Sequence, residues 1–251
     1  MANPPQRPAD ADRQLWFNSP DEQDIRRRAL SRERVIAEAL AVISADGAGA
    51  LGMRALAGRL GVVPGALYRH VRSKEQLCDL VVDEVLAEVD CRADHDLAWT
   101  GQVKVLASRL RVVLEDHPGI AAMLKTRDPL GPHSLGLAEA LLAALQRSGL
   151  PPENTALAFW LVYDYIVGFA LSDRTTTNEQ RVQDTATKRQ LHAFFQSLPG
   201  DRFPVLTALG EHVWADNRDL RFNAGLDMIL AGLQASTGTG HRAYPHISRT
   251  V

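Results

Sequence analysis

From residue 30 onward, apolar residues return every three or four positions, the spacing that gathers them on one face of a helix. In the first sixty of these residues the pattern predicts two longer helices around two short ones. The first runs from about Arg32 to Ala45, with Val35, Ile36, Ala39, Leu40 and Ile43 inward and Ser31 placed as its N-cap. The second, Met53 to Leu60, gathers Leu56, Ala57 and Leu60. Gly61 then permits a sharp reversal, and Pro64 opens a third helix to Val71, where its missing N–H costs nothing. That helix turns Leu67 inward and leaves Tyr68, Arg69 and His70 outward. Ser73 caps a fourth helix, from Lys74 or Glu75 to about Asp90, with Leu77, Leu80, Val81, Val85, Leu86 and Val89 as its apolar stripe.

After a polar linker at Arg92 to Asp96, the same period predicts Trp99 to Asp116, ended by His117-Pro118, then Gly119 to Lys125 and His133 to Ser148. The stretch Ala156 to Leu171 is apolar nearly all round and has to be covered on more than one side. Arg189 to Leu198, Phe203 to Val213 and Arg221 to Ala235 follow, the last with Gly225 and Gly232 suited to close helix approach. No alternating strand pattern occurs, so the fold class is all-α. The expected organisation is a disordered extension over 1–29, a three-helix module over 30–76, a larger helical domain over 77–235 and a disordered tail over 236–251. Residues Arg174 to Lys188, polar and without period, read as a mobile loop.

Charge sharpens the picture. Between Arg26 and Lys74 there are ten Lys or Arg against three acids, Glu33, Glu38 and Asp46, a balance of +7 in a chain whose net charge is −2. A basic module on an acidic body is the footprint of a nucleic-acid reader. The triplet Arg26-Arg27-Arg28 suits an arm along the DNA backbone or a solvated charge run, and Leu15, Trp16 and Phe17 form a small apolar cluster. Two cysteines, Cys78 and Cys91, suit reduced thiols. No apolar run reaches the roughly 18 to 20 residues that span a bilayer, and no signal segment opens the chain, so a cytoplasmic location without membrane contact is expected. Gly47 to Gly52 spells G-x-G-x-x-G, but a helix precedes it and no βαβ unit surrounds it, so it is a turn rather than a dinucleotide site.

The short helix, Gly61 turn and second short helix make a helix-turn-helix with Pro64 to Val71 as recognition helix. Around it, LAGRLGVVPGALYRHVRSKEQL resembles the DNA-binding signature of the tetracycline repressor family. HPGIAAML, LGPHSLGLAEALLAAL and RFNAGLDMILAGL are similar to the ligand and dimer domain of its tetracycline-repressor-like subgroup. The resemblance implies a regulator, by default a repressor, that leaves a palindromic operator when a small molecule binds. It implies DNA contacts from Arg54, matching an arginine that reads guanine in some members, and from Tyr68, His70 and Lys74, matching phosphate-contacting or supporting positions. Pro64, Gly65, Ala66 and Arg69 occupy recognition-helix positions that vary among members. It also implies a homodimer through helices 156–171 and 221–235, with half-sites about 34–36 Å apart on double-stranded DNA.

An effector cavity is expected in the larger domain, with His117, Met123, Thr126, Arg127, Trp160, Tyr163, Asp164 and Phe169 as candidate contacts. Thr126-Arg127 resembles a pair that follows a metal-binding histidine in members that take magnesium-bound tetracycline. Met123 stands where that histidine would be, so magnesium–tetracycline recognition does not carry over. No metal-ligand spacing and no nucleophile–base set stands out, so no cofactor, no metal and no catalysis are expected. A constitutive DNA binder would need no cavity, and an all-α enzyme would need a catalytic constellation.

Overall fold

A computed structural model of the chain describes residues 30–94, 96–117, 119–127, 129–172, 185–214 and 218–238. The N-terminal arm, the Trp16 cluster, most of the expected 174–188 loop and the tail beyond 238 lie outside the described residues. Within them the chain is helical and without strands: α1 (Arg32–Asp46), α2 (Met53–Leu60), α3 (Pro64–Leu67), α4 (Lys74–Leu86), α5 (Trp99–Asp116), α6 (Ile120–Thr126), α7 (Pro132–Gln146), α8 (Pro152–Leu171), α9 (Thr185–Gln196), α10 (Pro204–Trp214) and α11 (Arg218–Gly238).

Ser31 caps α1 by accepting the Arg34 N–H at 3.2 Å. Val35, Ile36, Ala39, Val42 and Ile43 are buried, with Val42 taking the inward place expected of Leu40, which is only partly covered. Gly61 ends α2 at φ 69°, in the left-handed region that glycine enters without the Cβ clash. The recognition helix is shorter than its pattern predicts. After α3 the bonds tighten, with the Arg69 N–H donating to Ala66 O at 3.3 Å and the His70 N–H to Leu67 O at 2.9 Å, three residues back rather than four. The end of α4 does the same, because the Glu88 and Val89 N–H groups donate to Val85 and Leu86 carbonyls. The buried stripe therefore continues to Val89 although the α-helix stops at Leu86.

Helix α4 bridges the N-terminal helices and the larger helical region. It packs on α1 at one end and on α6 and α7 beyond it, burying Leu77, Cys78, Val81, Val82, Val85 and Leu86. Burial pushes the Cys78 and Cys91 thiols up, and both are free. A second contact joins the two regions: Gly119, at φ 94°, opens α6 so close to the end of α1 that a Cβ would sit 3.4 Å from the Ile43 Cγ2.

Helix α8 packs on α5, α6, α7 and α11 through Ala158, Val162, Ile166 and Ala170. By length and composition alone this helix is long and apolar enough to cross a membrane, so the expectation that no run reaches that length does not hold for it. Its inner face is a core face, while Leu157, Trp160 and Leu161 on the other side remain about half exposed. Helix α11 starts three residues earlier and ends three later than its pattern predicts, so residues 236–238 are helix rather than tail. Phe222, Leu226 and Leu230 are its buried stripe, and Tyr165 donates its hydroxyl to Phe222 O at 2.9 Å beside Gly225. Gly232 instead faces open space. Helix α9 begins inside the stretch expected to be a loop, and it packs against α10, with Phe195 buried beside Gly210.

Candidate DNA-reading face and effector cavity

The first turn of α4 is fixed by a reciprocal cap. Ser73 Oγ accepts the Gln76 N–H at 3.1 Å, and Gln76 Oε1 accepts the Arg72 N–H at 2.6 Å. Lys74 is the first residue of the helix so capped. In the same turn the Glu75 carboxyl is held below its ordinary value, first by its own backbone N–H and then by the Ser73 hydroxyl. Leu67 and Val71 are buried and seat the recognition segment on the module. That seating leaves Arg54, Pro64, Gly65, Tyr68 and Arg69 exposed and Ala66, His70 and Lys74 partly exposed.

Val63, the N-cap of α3, is 72 % exposed, more than Tyr68 at 52 %. Sequence reasoning misses Val63, although an apolar side chain beside a helix-opening proline is a signal. Arg59, part of the basic stretch, donates Nε to Glu38 Oε1 at 2.5 Å and so is tied to α1.

A cavity of about 250 Å³ opens between α4, α7, α8 and residues Arg127, Pro129 and Leu130. It is lined by Leu86, Arg127, Pro129, Leu130, Ser134, Leu135, Leu137, Ala138, Phe159, Trp160 and Tyr163. Phe159 stacks on Tyr163 at 5.8 Å, and Trp160 stands edge-on to both, at 5.2 and 5.9 Å. The wall is therefore aromatic and aliphatic, with Arg127 as its one cation among the described residues.

Of the eight candidate ligand residues, the structure brings Arg127, Trp160 and Tyr163 together here. The other five lie elsewhere. His117 caps the end of α5 with Nε2 2.9 Å from Glu88 Oε1. Met123 is packed into the core, because α6 turns its apolar face to α8 and α4. Thr126 closes its hydroxyl back on Met123 O at 3.2 Å. Asp164 points to solvent, and Phe169 packs on Phe222, with the Arg218 guanidinium 4.8 Å above its ring.

Two polar ties join the cavity to α4. Asp83, buried, accepts both the Ser134 N–H at 2.9 Å and the Ser134 hydroxyl at 2.8 Å, which makes it a cap for α7 supplied by another helix. Gly131 is required there, because any Cβ would run into the Asp83 carboxyl. One turn earlier, Asp79 receives Arg127 Nη1 at 2.5 Å, and the same nitrogen donates to Glu75 O at 3.1 Å. Neither carboxylate stands out in the sequence, since an acid on a helix face shows no partner until the fold supplies one. Asp83→Ala is expected to lower unfolding free energy by about 1–3 kcal/mol, by leaving a buried N–H unpaired. Asp83→Asn, which keeps the acceptor, should lose less, and an unchanged denaturation midpoint in the alanine variant would count against this role.

Residues 35–81 match the family described as "Bacterial regulatory proteins, tetR family", and residues 93–237 match "Tetracyclin repressor-like, C-terminal domain". The chain belongs to the TetR family. Its function is accordingly that of a ligand-responsive, DNA-binding transcriptional regulator. An HTH-type transcriptional regulator of Saccharopolyspora erythraea is 29 % identical over 226 residues, 89 % of this chain and 92 % of the relative. ActR of Streptomyces coelicolor, solved in complex with actinorhodin, is 33 % identical with a TM-score of 0.74, covering 84 % of this chain and 99 % of that one. BioQ of Mycobacterium smegmatis, solved with its double-stranded DNA operator, is 25 % identical with a TM-score of 0.57, over 82 % and 99 % of the two chains. The first match spans most of α1, all of α2 and α3 and the start of α4, and the second contains every cavity-lining residue except Leu86.

Proposed function

We propose that this TetR-family chain is a cytoplasmic, non-catalytic repressor that leaves a palindromic operator when a small molecule fills the α4–α7–α8 cavity. Residues 30–76 read DNA and 77–235 hold the effector and the dimer interface. Arg54 faces a guanine edge, for which its planar fork is suited, while Tyr68, His70 and Lys74 set register on phosphates. Pro64, Gly65, Ala66 and Arg69 present the recognition segment, and Val63 offers an apolar contact for a thymine methyl. BioQ's complex with its operator and ActR's with actinorhodin support both halves of the reading.

The second copy covers the outer faces of α8 and α11. Leu157, Leu161, Leu220 and Met228 are exposed there, and Gly168 and Gly232 have no neighbour within 4 Å of a Cβ position, which suits close helix packing across a two-fold axis.

One observation carries the mechanism. Helix α4 begins with Lys74 on the DNA side and places Leu86 in the cavity wall, so a displacement at one end is felt at the other. Effector and DNA then oppose each other through a reciprocal coupling of roughly 1–3 kcal/mol. The test is to select bound fragments from the source genome and screen a metabolite library for release. A recovered palindrome that one compound releases is the expected result. Specific DNA binding that no compound alters would overturn the effector half, and the absence of sequence-selective binding would overturn the whole.

A further inference from the structure

We propose that the cavity takes an aromatic organic anion, whose acid group engages the Arg127 guanidinium in competition with Asp79. The inference rests on the effector reading above and names the class of molecule that the cavity selects.

Three features converge. Phe159, Trp160 and Tyr163 give a wall of ring faces and edges that pairs best with a flat ring system, and about 250 Å³ suits a body of two or three rings. The Tyr163 hydroxyl and the Trp160 indole N–H add only neutral polar groups to the wall, and Ser134 spends both its N–H and its hydroxyl on Asp83, so none of these offers a ligand a positive charge. Arg127 remains. Its bonds to Asp79 and Glu75 O both use Nη1, and among the described residues nothing takes the Nε and Nη2 edge. A guanidinium has five N–H groups, and a carboxylate meets two of them in parallel. A neutral ligand that covered Arg127 would strip water from a cation and return at most an uncharged hydrogen bond, whereas an anion also compensates the charge.

The second carboxylate has a consequence for α4. Once a ligand acid shares the guanidinium, two negative groups stand on one cation, and their repulsion falls on Asp79. Asp79 sits one turn from Asp83 on the face of α4 that ties the helix to the cavity. The charge on the effector therefore supplies the push that its ring system alone would not.

The probes are 2-naphthoate and 2-naphthamide, which share a ring body and differ in the charge of the polar group. Each is titrated calorimetrically into the full-length protein, with release of a bound genomic fragment as second readout. Naphthoate should bind about ten-fold or more tighter than the amide, as expected for a charge-assisted bond in a partly dry site. Arg127→Gln should bring the two within about two-fold of each other. Asp79→Asn, which removes the competing charge, should bind naphthoate more tightly than the native protein while releasing DNA less readily. Thermal midpoints near the native value establish that both variants fold, and the Asp79→Asn result stands by itself if Arg127→Gln does not. Equal binding of the two probes, or a preference that survives Arg127→Gln, overturns the proposal. If both probes bind equally and release DNA, the effector reading survives that failure. If neither binds, this proposal falls, and the effector reading is decided by the metabolite screen alone.

Discussion

Lys74→Ala is expected to weaken operator binding by about ten- to a hundred-fold and to flatten its salt dependence by roughly two units of log–log slope per dimer, one for each phosphate that is no longer neutralised. The lysine stands at the first position of a helix whose N-terminal N–H groups already favour a phosphate, and its partial exposure leaves the ammonium in reach of the backbone. The weakening should be uniform across DNA sequences. Arg54→Ala should behave differently. A bidentate base contact is worth about 1–3 kcal/mol of discrimination, so this variant should lose affinity for the operator while keeping most of its non-specific binding. Fluorescence anisotropy against operator and scrambled duplex over a salt series separates the two. If both variants lost affinity equally on both duplexes, the assignment of Arg54 to base reading would be wrong. Both side chains are accessible in the free protein, so the stability of each variant should stay within about 0.5 kcal/mol of the native value.

Leu161→Arg combined with Met228→Arg should convert the protein to monomers and abolish measurable operator binding at nanomolar concentration. The two positions are 50 % and 74 % exposed in the single chain, so a monomer accommodates the arginines in water. In a two-fold assembly each substitution appears twice, and an unpaired buried charge costs several kcal/mol. One small reading head makes too few contacts to hold a site alone, and the gain from linking two heads disappears with the interface. Sedimentation velocity at micromolar concentration gives the state directly. A double variant that still sediments as a dimer would move the interface away from α8 and α11.

Much of this is legible in the chain, and the exceptions have physical causes. Helix α5 shows both of its ends because its apolar period is unbroken and a His-Pro pair stops it. Ser31 and Ser73 are readable as caps because a hydroxyl before a helical period has one common use, and both accept the expected N–H. The ends of α3 and α4 are not legible, since a tightened last turn keeps the same side chains buried while changing the bonds, and periodicity reports burial alone. Arg127, Trp160 and Tyr163 are among the residues the sequence offers for the cavity, but so is Met123, because an apolar helix face looks the same whether it meets a ligand or a neighbouring helix. Asp79 and Asp83 stay hidden for the opposite reason: their partners, Arg127 and Ser134, are about fifty residues away in sequence.

The dimensions of α4 set how small a disturbance is enough. Thirteen residues make a rod about 20 Å long, so a tilt of about 5° about its cavity end swings the Lys74 end by about 1.7 Å. In the proposed two-fold dimer this displacement doubles between the two heads to about 3.5 Å, close to the roughly 3.4 Å rise of one base step. A tilt of that size thus suffices to set both heads one rung out of step with the duplex, without any refolding of the reading heads.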